Sequence, residues 1–221
     1  MINNCPILLI VLALNGAQAV GQSEIMFEQY RIINTGQPST YMPVIHYQHA
    51  KNWYAEARYN YEDAETFSIY LGRAFTGEIN TLNYSIVPML GGSMGRWQGI
   101  STGLNINVDL KNFFFSSQSQ YSRSTGVAGD HFVYDWSEVG YQSLKWLYAG
   151  LSLQHTHERL IGHDVQPGFM VGFTFNRFTI PVYTFEPFNT GRNFIVGVTM
   201  EWKNKKKNVN RQVAKSNKQD L

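Results

Sequence analysis

Between residues 25 and 202 the chain alternates apolar and polar side chains with a period of two, segment after segment, and this pattern leaves few folds open. Phe194, Val196, Val198, Met200 and Trp202 share one face of a segment, with Gly197, Thr199 and Glu201 on the other. Phe169, Val171, Phe173 and Phe175 alternate with Met170, Gly172 and Thr174 in the same way, and Leu147, Ala149, Leu151 and Leu153 with Tyr148, Gly150, Ser152 and Gln154. Ile100 to Val108 and Trp53 to Tyr61 repeat the pattern. These are strands with one apolar and one polar face. No stretch of comparable length reads as an amphipathic helix.

About twelve such segments can be counted: 25–34, 41–49, 53–61, 65–75, 80–90, 96–109, 112–122, 131–142, 145–157, 165–175, 178–186 and 192–202. In the eighth, Phe132, Tyr134 and Trp136 share one parity while Val139 and Tyr141 share the other, which predicts a β-bulge near Ser137. The connections alternate in character. After odd-numbered strands come residues 34–40 (NTGQPST), 62–64 (EDA), 91–95 (GGSMG), 123–130 (RSTGVAGD), 158–164 (ERLIGHD) and 187–191 (PFNTG). After even-numbered strands come 50–52 (AKN), 76–79 (TGEI), 110–111, 143–144 and 176–177. Loops at one end and tight turns at the other describe an up-and-down meander rather than a Greek-key sandwich.

Composition then identifies the solvent. Only 15% of residues are charged, against about 25% in an average soluble domain, while 13 Tyr, 14 Phe and 5 Trp make the chain rich in aromatics. A mean hydropathy of −0.26, with no run of about 18 apolar residues, excludes a helical membrane protein. A single Cys excludes a disulfide framework or a multi-thiolate metal site. Strands of about ten residues, tilted, are long enough to cross a bilayer, and only a closed barrel crosses without unsatisfied backbone edges. The apolar parity ends in aromatic residues at Trp53, Tyr59, Tyr61, Tyr84 and Trp202, as interfacial girdles do. The opposite parity is mostly Ser, Thr, Asn, Gln, Gly and Tyr, which suits a lumen better than a water-exposed outer wall.

The two ends of the chain are distinct. Residues 6–14 (PILLIVLAL) form a nine-residue apolar core followed by Ala17-Gln18-Ala19, the pattern of a secretory signal peptide spanning 1–19. The mature chain, from Val20, then contains no Cys, in keeping with an exported protein independent of disulfides. Residues 203–221 carry seven Lys or Arg and one Asp, a tail of +6, leaving a body of −4 behind the overall +2. A like-charge block of this kind reads as a solvated, disordered tail, with an anionic envelope component as its candidate partner.

The signal peptide, the even strand number, the alternating connections and the aromatic-ended last strand (NFIVGVTMEW, 193–202) together resemble bacterial outer-membrane β-barrel proteins. The resemblance implies an all-β, closed antiparallel up-and-down transmembrane barrel of about 12 strands (10–14) over residues 20–202. It places the protein in the outer membrane of a Gram-negative-type bacterium, with turns and termini in the periplasm. Many such proteins end at the aromatic residue of the last strand, whereas here nineteen residues follow Trp202.

Side chains on the polar parity would line the lumen: Glu56, Arg58, Asn105, Asn107, Asp109, Asp135, Tyr148, Gln154 and Glu201. Their mixed charge suits a narrow channel for a small polar solute. Glu56 and Arg58, two residues apart on one strand, would equally pair with each other and plug it. Some twelve-stranded barrels of the class are lipases with Ser and His at the membrane face. Here His155 and His157 flank Thr156, and no H-x-S or G-x-S-x-G motif occurs. The spacing of His155, His157, His163 and Asp164 would allow a metal site, but they read as polar residues lining the outer interface, and no metal site is expected. The expectation is therefore a porin-like channel or plugged barrel in contact with membrane lipid, with no cofactor, no catalytic residues and no nucleic-acid partner. A lipid hydrolase and a scaffold acting through the basic tail are the alternatives.

Overall fold

In the computed structural model, described for residues 23–34, 39–126, 130–158, 162–189 and 191–203, thirteen strand segments among the described residues form one closed antiparallel sheet. They are β1 (Glu24–Asn34), β2 (Thr40–Gln48), β3 (Trp53–Tyr59), β4 (Thr66–Arg73), β5 (Phe75–Ile79), β6 (Leu82–Gly95) and β7 (Gly99–Leu110), followed by β8 (Phe113–Ser124), β9 (Phe132–Leu144), β10 (Leu147–Glu158), β11 (Gly162–Phe175), β12 (Phe178–Phe185) and β13 (Asn193–Lys203). Apart from β4 and β5, each pairs with its neighbours in sequence. The ring closes where β1 pairs with β13 from Glu24↔Lys203 to Asn34↔Asn193. The expected signal peptide, residues 1–19, and all but the first residue of the basic segment 203–221 lie outside the described residues.

Thirteen segments make twelve staves, because β4 and β5 are one wall strand interrupted at Ala74. Both pair with β6 in a single register, Thr66↔Gly95 to Gly72↔Met89 and Phe75↔Ile86 to Ile79↔Leu82. At the break Ala74 still follows the β3 ladder, its N–H donating to the Asn52 carbonyl at 2.8 Å, and the interruption is on the β6 side. Pro88, next in register after Met89, has no N–H to give the ladder. The fold is a closed, 12-strand antiparallel barrel, as the alternation predicts.

Several boundaries differ from the sequence expectation. Residues 76–79 belong to a strand, and the turn falls at 80–81, where Asn80 adopts φ 56°, a left-handed conformation that Asn tolerates well. Residues 91–95 continue β6, so the connection shortens to 96–98. No bulge occurs near Ser137. β9 keeps one register with β8 from Tyr141 to Phe132, and its single shift lies at Leu147/Tyr148 in the pairing with β10. Phe132, Tyr134 and Trp136 therefore point inward and Val139 and Tyr141 outward along an unbroken strand.

The outer wall is an apolar belt. Leu71, Leu90, Ile100 and Leu151 are 64, 68, 60 and 55% exposed, which in water would be an aggregation surface and in hydrocarbon is the expected exterior. Trp53, Tyr47, Tyr141, Trp146 and Trp202 ring the end that carries the short turns; Tyr41, Tyr59 and Tyr121 ring the end that carries the loops. No helix among the described residues is long and apolar enough to cross a membrane. A closed barrel with this belt is the architecture of outer-membrane proteins.

Candidate functional site: a filled lumen above an acidic cup

The interior holds a polar network on one wall and an aromatic cluster on the other. On β3 the side chains of Tyr54, Glu56 and Arg58 point inward because Trp53, Ala55, Ala57 and Tyr59 take the lipid face. The Arg58 guanidinium bonds Glu56 through Nε, donates to Gln120 Oε1 at 2.6 Å and lies 3.6 Å from Glu62. It is also sandwiched over the rings of Tyr61 and Tyr70 at 4.3 and 4.4 Å. Glu56 in turn meets His46 Nδ1 at 2.9 Å, accepts from Tyr54, and receives Asn105 Nδ2 at 3.3 Å. The other imidazole nitrogen of His46 faces Glu28 at 3.3 Å. Charges this deeply enclosed persist only when paired and hydrogen-bonded.

Across the lumen Tyr30, Met42, Trp136, Met170, Tyr183, Phe185 and Ile195 are buried together. Trp136 is the centre of that cluster, with ring contacts to Tyr30, Tyr183 and Phe185 at 5.5, 5.1 and 6.0 Å, and its indole donates to Ser152 at 2.9 Å. Network and cluster together occupy the barrel at mid-height.

The loop end is capped from above. From the 60–65 connection Tyr61 and Glu62 turn inward, so that Tyr61 donates to Gln118 at 3.1 Å and meets Tyr134 edge-on, while Glu62 accepts from Ser68 and, at 2.8 Å, from Tyr70. Burial pushes the Tyr61 phenol up from its ordinary pKa. Trp97, on the 96–98 connection, is buried as well, bonded to Thr66 through its backbone N–H at 3.0 Å and to the Asp130 carbonyl through its indole at 3.1 Å.

The turn end is different. A cavity of about 420 Å³ opens there, lined by Glu24, Glu28, Glu138 and Glu201 together with His46, Asn105, Asn107 and several aromatic rings, and its lining contains no Lys or Arg. Lys203 stands at the mouth, 3.4 Å from Glu24 and 3.2 Å from Glu201. Asn105 Oδ1 is buried without a hydrogen-bond partner among the described residues.

Of the residues predicted to line the lumen, Glu56, Arg58 and Asn105 meet in the network, and Asn107, Tyr148 and Glu201 line the cup. Asp109 and Gln154 share the inward parity of their strands but belong to neither group. Asp135 is a correction. It alternates with the buried Trp136 and so faces outward, bonded to Ser117, Ser119 and Ser137 on the lipid side. The expectation took aromatic residues for the lipid face, whereas in this half of β9 they fill the lumen. Tyr61 is likewise turned inward instead of joining a girdle. His155, His157 and His163 lie on the outer face and Asp164 on the opposite parity; no three His, Cys, Asp or Glu among the described residues converge on a metal position. The sequence reading passed over Glu28, His46, Glu62, Trp136 and Glu138. The parity of Met26, Glu28 and Tyr30 against Ile25 and Phe27 would have pointed to the first of these.

No protein family recognised by sequence matches the chain, and no curated protein does. The fold has solved counterparts. The barrel is similar to the KdgM porin at 12% identity and a TM-score of 0.56, covering 79% of this chain and 98% of that one. The same porin in complex with disordered oligogalacturonate gives 11% identity, the same TM-score and the same coverage. The NanC porin gives 10% identity and a TM-score of 0.53, covering 79% and 98%. The chain therefore has a porin-type outer-membrane barrel fold, reached with little sequence in common.

Proposed function

We propose that this barrel is a porin-type channel held shut at rest, which admits small cationic polar solutes through its acidic cup. One observation carries the reading. A layer of paired charges and packed rings borders a cavity whose lining carries four carboxylates and a histidine but no Lys or Arg. In barrels of this architecture the short turns face the periplasm, so the cup opens inward and the loop cap faces the exterior.

The chemistry also sets this chain apart from the complex formed by its structural neighbour. Oligogalacturonate is a polyanion, and a cup lined by Glu24, Glu28, Glu138 and Glu201 repels one. Cation preference is tested by reversal potentials in a planar bilayer with a salt gradient. The wild type is expected to give rare, small, cation-selective openings, and Glu28→Gln with Glu138→Gln to lower that selectivity. Anion selectivity, or selectivity unmoved by both substitutions, would sink the reading. A barrel with no conductance in the wild type or in Arg58→Gln is a structural plug instead.

A further inference from the structure

The turn end of the barrel separates its charges by face. The carboxylates there take the inward parity: Glu24 and Glu201 line the cup, and Glu78 and Asp109, both in register with Asn83, alternate with the exposed Ile79 and Leu110. The rest of the rim is basic. Lys51, Lys111, Lys145 and Arg177 stand exposed on the turns β2–β3, β7–β8, β9–β10 and β11–β12, and Arg73 is exposed on the outward parity at the end of β4. None of these five side chains forms an ion pair among the described residues. The loop end mixes both signs instead: Arg96 pairs with Asp63 at 3.4 Å, and Arg31 and Arg123 share that end with Glu65 and Glu186.

Each of these cations also neighbours an exposed aromatic ring of the outer wall. The Arg73 guanidinium lies over the Trp53 ring at 5.9 Å, and Lys51 precedes the same residue by two positions. Lys111 precedes Phe113 by two, and Phe113 packs against Tyr141 at 4.9 Å on the lipid face. Lys145 and Arg177 come immediately before Trp146 and Phe178, and Trp146 is stacked on Phe173 at 6.3 Å. Such rings settle at the depth of the lipid headgroups, and long basic side chains lay their stems along apolar surface while the charge stays in the polar layer. The five cations are therefore held at phosphate level, spread around the rim from β3 to β12.

We propose that this rim binds anionic phospholipids of the periplasmic leaflet, with their phosphates on the five cations and their acyl chains along the apolar belt. The short turns face the periplasm in this architecture, and the leaflet on that side is phospholipid. Selectivity follows from what the rim lacks. A zwitterionic headgroup brings an ammonium of its own, and no carboxylate among the described residues faces outward at this end to receive it. An anionic headgroup brings only the charge that the rim leaves unpaired, and basic residues at a membrane surface attract it. The inference is independent of conduction, since it holds for an open lumen and a plugged one alike.

The test is native mass spectrometry of the full chain released from nanodiscs of equal phosphatidylglycerol and phosphatidylethanolamine. The wild type is expected to retain phosphatidylglycerol in roughly fivefold excess, as one basic residue beside an anionic headgroup gives. Replacing Lys51, Arg73, Lys111, Lys145 and Arg177 together by Gln should bring the two lipids to parity. Arg31→Gln with Arg123→Gln, at the loop end, should leave the excess as it is. Heat-modifiable migration on gels reports folding for each variant. Should the fivefold variant not fold, Lys51→Gln with Arg73→Gln, and Lys145→Gln with Arg177→Gln, should each lower the excess in part. Equal retention of the two lipids by the wild type, or an excess undiminished in the turn-end variants, overturns the proposal. So does an excess lost as readily in the loop-end variant. An excess that survives the turn-end variants and vanishes when residues 204–221 are removed assigns the lipid to the basic segment instead.

Discussion

Arg58 touches Glu56, Glu62 and Gln120 and lies between the rings of Tyr61 and Tyr70, so its removal strands two carboxylates in the interior at once. Arg58→Ala should destabilise the barrel by about 3–5 kcal/mol, the usual cost of breaking a buried pair from one side, read as a lowered urea midpoint for the reconstituted protein. Glu56→Gln combined with Arg58→Gln should lie closer to wild type, because it leaves fewer unpaired charges. If the single and double variants unfold together, the network is not coupled as described. At this scale sequence reading sees spacing along one strand but not what stands across the barrel. The i, i+2 pairing of Glu56 with Arg58 could be read directly. The approach of His46 and Gln120 could not, since it depends on the register between strands and on the curvature of the wall. Asp135 failed for a related reason: aromatic residues serve both the lipid face and the filled interior, so parity alone does not tell which face is which.

Strand positions were legible wherever polar and apolar residues alternated cleanly, and glycine caused the main errors. Residues 91–95 read as a loop because of Gly91, Gly92 and Gly95, yet Gly91 is the seat of Tyr70. A Cβ there would come within 2.4 Å of the Tyr70 ring. Gly172 does the same for Tyr148, directly across the β10–β11 ladder, where a Cβ would stand 1.9 Å from the ring. Gly172→Val should therefore displace Tyr148 from the cup and cost about 1–3 kcal/mol by overpacking, visible as a lowered unfolding midpoint. Tyr148→Ala in the same background should recover part of it. A Gly172→Val protein as stable as wild type would show that the ring has room to move. The break between β4 and β5 makes a separate prediction. With Pro88, which has no N–H, opposite Arg73 at the end of β4, the amides of Arg73 and Phe75 on the β6 side should exchange with solvent faster than their neighbours in β4, while that of Ala74, bonded to Asn52, stays protected. Uniform protection along residues 66–79 would contradict the description.

For the whole molecule, the low charge and the aromatic surplus have a common origin in a wall that faces lipid on one side and packs its own rings on the other. Strand number and closure were readable because a bilayer admits so few β architectures. The filling of the lumen was not readable, because it depends on side chains of twelve staves meeting at the axis and on Tyr61, Glu62 and Trp97 turning inward from two connections. The barrel that results has a different face at each end, capped by Tyr61, Glu62 and Trp97 at one and open onto carboxylates at the other. Such a molecule has a direction along the membrane normal. Fixed charge confined to one mouth concentrates mobile cations there, so whatever current Arg58→Gln passes should rectify, larger when cations are driven in from the cup than toward it. Orienting the protein the other way in the bilayer should reverse the sense of that asymmetry, and a symmetric current–voltage curve would mean that the acidic mouth does not lie on the conduction path.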